Sequence, residues 1–91
     1  MTIEYAHEKL TEAVYVLATG ASRIQERLAD AALCFVGIRP EYHFPDEESR
    51  RTYLGIRDDL AKLGGADDEN ASAIARRIVG LYHEIDQLMG D

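Results

Sequence analysis

The sequence predicts an all-α fold, an antiparallel three-helix bundle with a long first helix at about 3–36 and further helices at about 45–63 and 67–89. Two observations support this prediction. Apolar residues recur at alternating spacings of three and four in three separate segments, as on helices that bury one side. Prolines and glycines fall between these segments, and no stretch shows the alternation of a half-buried strand. The 91 residues are expected to form a single helical domain, 1–91.

The first segment carries the longest apolar series. Its members follow one another at intervals of four and three without a slip: Leu10, Val14, Leu17, Ala21, Ile24, Leu28, Ala31 and Phe35. A glycine inside a helix costs only about 1 kcal/mol, so the series favours one helix that continues through Gly20. That helix would be about 50 Å long at the usual rise per residue. The alternative is a turn at Gly20, with Ser22 and Gln25 forming a capping box that opens a second helix.

The two later helices have clearer ends. Pro45 suits the first position of a helix, and Gly64-Gly65 suits its end. The apolar series between them is Tyr53, Ile56, Leu60 and Leu63. Asp67 is a good N-cap for the last helix. Its series is Ala71, Ile74, Ile78, Leu81, Ile85 and Leu88.

Neither later helix is long enough to cover a 50 Å neighbour, so part of the first helix is expected to face a second copy of the chain. Residues 14–17 are apolar on every side of one helical turn, which indicates a second packing surface. Two-fold homodimers are also the commonest oligomers. The predicted interface consists of Tyr5, Val14, Tyr15, Val16, Gly20, Leu33 and Val36. Gly20 shares a helix column with Ala6, Ala13, Arg27 and Cys34, and these mostly small residues would let another helix approach closely.

Charge and composition exclude several classes of function. The net charge of −7 argues against direct nucleic-acid binding, which needs a clustered basic surface, and permits a basic protein partner. No apolar run approaches the length of a membrane span, and the first residues lack the pattern of a signal peptide. A single cysteine, Cys34, allows no internal disulfide. We therefore expect a cytoplasmic protein without membrane association.

The sequence predicts no metal site, cofactor or identifiable ligand. His-Glu occurs at His7 and at His83, but a zinc-protease helix needs a second histidine four residues after the first. Thr11 and Gln87 occupy those positions. Cys34 falls near the expected end of a helix, where the helix dipole opposes a thiolate.

Arg77 and His83, separated by five residues, resemble the arginine–histidine signature of HEPN-type ribonucleases, small helical proteins that act as dimers. The resemblance implies a cleft in which the arginine stabilises phosphate charge and the histidine transfers a proton. Two features differ from that pattern. Ile78 follows the arginine where the family prefers a polar residue, and the helical spacing places His83 on the outward side. The sequence therefore favours a non-catalytic module that binds itself or another protein, with the ribonuclease as the alternative.

Overall fold

The computed structural model describes residues 2–90 of the chain. Within that range lie five α-helices and one 3₁₀ turn, which have the following bounds: α1 Thr2–Thr19, α2 Ile24–Leu33, α3 Pro40–His43, α4 Glu47–Ala61, the 3₁₀ turn Leu63–Gly65, and α5 Asp68–Gly90. No strand occurs in these residues, which confirms the all-α prediction. None of these helices has both the length and the apolar character needed to cross a bilayer.

The predicted continuous helix at 3–36 is wrong, because the chain reverses at residues 20–23 and forms a hairpin of α1 and α2. The bundle consequently has four principal helices, with α3 as a short connecting turn. The apolar series gave no sign of the break. The turn contains four residues, close to the 3.6 residues of one helical turn, so the spacing of three and four between apolar residues continues across it. Of the series, only Ala21 becomes exposed.

Arg27 of α2 holds this turn in place. Its Nη1 atom donates to the carbonyl of Leu17 at 2.8 Å, and its Nε atom donates to the carbonyl of Ser22 at 2.9 Å. The last carbonyls of a helix have no partner within the helix, so a charged donor there stabilises the end of α1. The backbone N–H of Gly20 still donates to the Val16 carbonyl, at 3.1 Å. The turn therefore begins directly beneath the arginine side chain.

The predicted capping box is absent from the start of α2. The N-cap residue is Arg23, which makes no side-chain capping hydrogen bond. Gln25 donates instead to Oδ1 of Asp68 at 2.8 Å, across to the first residue of α5. This contact joins the start of α2 to the start of α5, so the turn is also anchored to the opposite side of the bundle.

The hairpin buries apolar groups that a straight helix of 50 Å would leave exposed. Leu28, Ala31 and Phe35 of the second half join Leu10 and Leu17 of the first half in one core, and each is at most 8% exposed. Burying a leucine or phenylalanine contributes roughly 1.5–3 kcal/mol, against roughly 0.5–1.5 kcal/mol for each helical hydrogen bond given up. The resulting bundle measures 35 × 23 × 20 Å.

The central helix is α5, which packs against α1, α2 and α4. Its predicted apolar series is buried from Ala71 to Ile85, while Leu88 lies largely exposed near the end. The predicted N-cap is confirmed, because the Asp67 carboxylate accepts the N–H of Asn70 at 2.8 Å. This helix therefore forms as its local sequence predicts.

Helix α4 begins two residues later than predicted, and its N-cap is Asp46. The Asp46 carboxylate accepts the N–H of Ser49 at 3.2 Å and also the hydroxyl of this fully buried serine. One turn further on, the Tyr53 ring lies between Phe35, 5.8 Å away and nearly perpendicular, and Phe44, 5.0 Å away. This aromatic cluster joins α4 to the end of the hairpin.

We expect Gly20→Ala to destabilise the protein by about 1–2 kcal/mol, the value of the charged hydrogen bonds it disturbs. Gly20 does not have a positive φ, so backbone strain is not the reason. A Cβ atom at this position would lie 2.6 Å from both Cγ and Cδ of Arg27 and would displace the side chain that caps α1. Urea unfolding measures the change. In a continuous helix the same substitution would stabilise the protein.

The control is the same substitution in an Arg27→Ala protein. Without the long side chain, Gly20→Ala should cost less than about 0.5 kcal/mol, because the two positions no longer collide. An undiminished cost in that background would contradict the role given to Arg27.

Candidate interaction face

The residues predicted as an interface do not form one surface. Val14 and Val16 are half-buried against the core, whereas Tyr15 is 68% exposed on the outer side of α1. Ala6 and Ala13, the small residues of the same helix, are fully buried. Because α2 packs on α1, the helix that approaches closely belongs to the same chain.

Tyr5 closes the open end of the hairpin. Its ring centroid lies 4.6 Å from that of His43, and Nζ of Lys9 lies 5.5 Å from the ring. Its hydroxyl lies so close above Gly37 that a side chain there would collide with it. His43 is fixed in turn, since its Nδ1 accepts the N–H of Arg39 at 2.8 Å. Tyr5 thus makes its contacts within the chain, and of the predicted interface residues Leu33, Val36 and Tyr15 project furthest.

Val36 lines a groove of about 350 Å³ between α2 and α4, and Leu33 lies three residues before Val36, outside the lining. The groove is lined by Arg57 and by apolar or aromatic residues, namely Ala32, Phe35, Val36, Ile38, Tyr53, Leu60 and Ala61. Leu33 is 71% exposed and Val36 is 81% exposed. On the other side, Leu54, Arg57 and Ala61 are three and four residues apart and therefore share one side of α4. We call Leu33, Val36, Leu54, Arg57 and Ala61, together with the groove that Val36, Arg57 and Ala61 line, the α2–α4 face.

Single exposed apolar residues are normal on protein surfaces, but their grouping around an apolar groove is not. The grouping arises because α2 ends at Leu33 and the chain then turns through residues 34–38 towards α3. Phe35 and Ile38 of this segment enter the core, at 6% and 5% exposure. Val36 lies between them and consequently points outwards.

Arg57 is the one charged side chain that lines this groove, among the residues described. Its guanidinium lies 5.9 Å from the ring centroid of Tyr53, whose hydroxyl donates a long hydrogen bond of 3.4 Å to the Phe35 carbonyl. Burial raises the pKa of the Tyr53 hydroxyl, and the positive charge of Arg57 offsets part of that rise. No carboxylate in residues 2–90 pairs with Arg57. The groove is therefore apolar, with one cation at its wall that lacks a counter-charge.

Arg77 and His83 line different grooves on two sides of α5. Arg77 pairs with Asp59 of α4. His83 is exposed and lies beside Leu17 and Val79 at the groove between the hairpin and α5. A single chain thus keeps the two side chains of the predicted ribonuclease pair apart.

The remaining candidates for chemistry have structural contacts. His7 Nε2 hydrogen-bonds to Oδ1 of Asp86 at 2.9 Å, and its ring stacks on Tyr82. Burial raises the pKa of the Cys34 thiol, and the carboxylate of Glu12 raises it further. Across residues 2–90, no group of three or more histidine, cysteine, aspartate or glutamate side chains is placed to hold a metal ion.

Comparison of the chain with protein-family models, with curated protein sequences and with solved structures finds no match in any of the three. The α2–α4 face is therefore the feature of the molecule that points to a function.

The sequence analysis found Leu33 and Val36 but missed Leu54, Arg57 and Ala61. In the sequence, only the spacing of three and four residues indicates that Leu54, Arg57 and Ala61 share a side of α4, next to the side that is buried. That spacing mixes a leucine, an arginine and an alanine, a combination that also suits an ordinary solvent-exposed helix surface. Only the position of α2 beside them reveals the groove.

We expect Tyr53 to make the protein less stable at alkaline pH. The folded protein raises the pKa of Tyr53 above its ordinary value of 10.0, so the unfolded chain loses this proton first as the pH rises. The stability that comes from burying the protonated hydroxyl is fully present below pH 10.0. It is lost as the pH rises through the pKa that Tyr53 has in the folded protein. Urea unfolding from about pH 9 to about pH 11 should show a shallower decline for Tyr53→Phe than for the wild type. Equal slopes in the two proteins would contradict the expectation.

Proposed function

We propose that this chain is a small acidic interaction module of the cytoplasm that forms a homodimer through the α2–α4 face and has no catalytic activity of its own. One observation carries the proposal, namely that an apolar groove lies between α2 and α4, with the exposed side chain of Val36 in its lining and the exposed Leu33 and Leu54 each three residues from a lining residue. The single cysteine, Cys34, suits a reducing compartment in which no disulfide is needed.

A second copy is the partner that this face fits best, because the face contains both projecting and recessed apolar parts. A two-fold dimer places the same surface on both sides of the interface, so that surface must be complementary to itself. Leu33 and Val36 project on the α2 side, while the groove walls are formed by Tyr53 and Leu60 of α4. A two-fold axis beside the groove brings the projecting residues of each copy into the groove of the other.

The distribution of charge also favours this face. Two copies of a chain with a net charge of −7 repel each other, and they approach most readily where acidic side chains are absent. The lining of the α2–α4 groove, as far as the structure describes it, contains no acidic side chain and one arginine. The acidic residues Asp30 and Asp58 lie outside the groove lining of their own chain, so the groove itself presents no acid to a second copy.

The molecule is large enough for such a contact. A typical stable interface buries about 800 Å² on each partner, about one seventh of the 5528 Å² that this chain exposes. One broad side of a body measuring 35 × 23 × 20 Å supplies an area of that size. The α2–α4 face and its borders are therefore an adequate interface for a small homodimer.

We expect Leu33→Glu to convert the dimer into a monomer, because it places a charge in the apolar contact without a partner for it. Light scattering should give about 20 kDa for the wild type, twice the 10.2 kDa of one chain, and 10.2 kDa for the variant. Leu33 is exposed within the chain, so the variant should keep the wild-type helix content.

The matched control is Tyr15→Glu, which places the same side chain at an equally exposed apolar position on the outer side of α1. This variant should remain dimeric. A monomeric wild type would contradict the proposal, and dissociation by Tyr15→Glu alone would place the interface on α1 instead.

A further inference from the structure

We infer that Arg57 of each copy pairs with Asp30 of the other, and that these two pairs fix the register of the dimer and select a second copy of this chain as the partner. The inference deepens the homodimer proposed above and rests on it. Arg57 belongs to α4 and lines the groove, whereas Asp30 lies on the exposed side of α2. Within residues 2–90 of one chain, neither Arg57 nor Asp30 forms an ion pair.

The environment of Arg57 requires a counter-charge once the groove is covered. Two other charged residues of α4 are paired within the chain, Arg51 with Glu47 and Asp59 with Arg77, whereas Arg57 at the groove wall is not. An apolar side chain that enters the groove removes water from the Arg57 guanidinium, and an unpaired charge without water is costly. A partner therefore binds best when it brings a carboxylate to this position together with its apolar side chain.

Asp30 is the acidic residue that accompanies Leu33 into the partner's groove. The two are three residues apart on α2 and therefore neighbours on one side of the helix, with a rise of about 4.5 Å between them. Glu26, the next acidic residue on that side, lies about 10.5 Å from Leu33 along the helix axis. When Leu33 enters the groove of the other copy, Asp30 is thus the carboxylate of α2 that lies nearest to the groove wall with Arg57.

Two-fold symmetry makes the arrangement specific. Each copy contributes one acid from α2 and one base from α4, so both pairs form in a single orientation. A dimer displaced along the helices would bring like charges together or leave Arg57 covered and unpaired, and both alternatives are unfavourable. The charge pair therefore adds selectivity to an apolar contact that by itself specifies little.

Sedimentation equilibrium of four proteins tests the inference: the wild type, Arg57→Glu, Asp30→Arg and the double variant. Each single variant places like charges opposite each other twice in the dimer and should raise the dissociation constant about tenfold or more. The double variant exchanges the two charges and should return to within about threefold of the wild type. Circular dichroism should show the same helix content in all four.

Arg76→Glu is the matched control, because it makes the same charge change at an exposed position of α5 outside the face. It should alter the dissociation constant by less than about threefold, which measures the effect of net charge alone. If Leu33→Glu dissociates the dimer but Arg57→Glu does not weaken it, the charge pair is overturned and the proposed homodimer remains. Failure of the double variant to recover also overturns the pair. A wild type that stays monomeric overturns both proposals.

Discussion

The guanidinium of Arg27 bonds to the end of α1 and to the turn that follows, through the carbonyls of Leu17 and Ser22. Because this turn reverses the chain, α2 lies beside α1 and does not continue its line. Phe35 then enters the shared core, Leu33 projects from α2 into solvent, and Val36 lines the groove beside α4. The position of the α2–α4 face thus follows from one capped turn. The function proposed for the chain depends on the same contact, since a straight helix would form no groove with α4.

The later part of the fold could be predicted from sequence because its signals are local. The Asp67 cap and the buried series of α5 each act over a few residues, and the structure confirms them. Helix α4 ends at Ala61, before the predicted stop, and Gly64-Gly65 belong to the 3₁₀ turn that follows. The break at residues 20–23 could not be predicted from spacing, since the turn keeps the phase of the apolar series. Its deciding contact joins Arg27 to Leu17, ten residues away, and exists only once the chain has reversed.

The residues of the α2–α4 face were likewise predictable from the sequence only in part. Leu33 and Val36 were found because large apolar residues on an otherwise polar side stand out in the sequence. A straight helix would also leave Tyr5 and Val16 exposed, whereas the hairpin covers much of both. Arg57 could not be predicted, because in the sequence it looks like any solvent-exposed arginine on a helix of polar and apolar residues. Its role at a groove follows only from the position of α2 beside α4. The reason for expecting a dimer has therefore changed from an uncovered helix to a groove with a projecting border.

The most direct measurement is a dilution series of the wild-type protein, from millimolar to micromolar, followed by the backbone amide chemical shifts in NMR spectra. Our account predicts concentration-dependent shifts at Leu33, Val36 and Arg57 and at their neighbours on α2 and α4, because these amides leave an interface as the dimer dissociates. The amide of Tyr15, on the outer side of α1, should stay unchanged. Shifts centred on Tyr15, or spectra that remain those of a monomer at every concentration, would contradict the central claim.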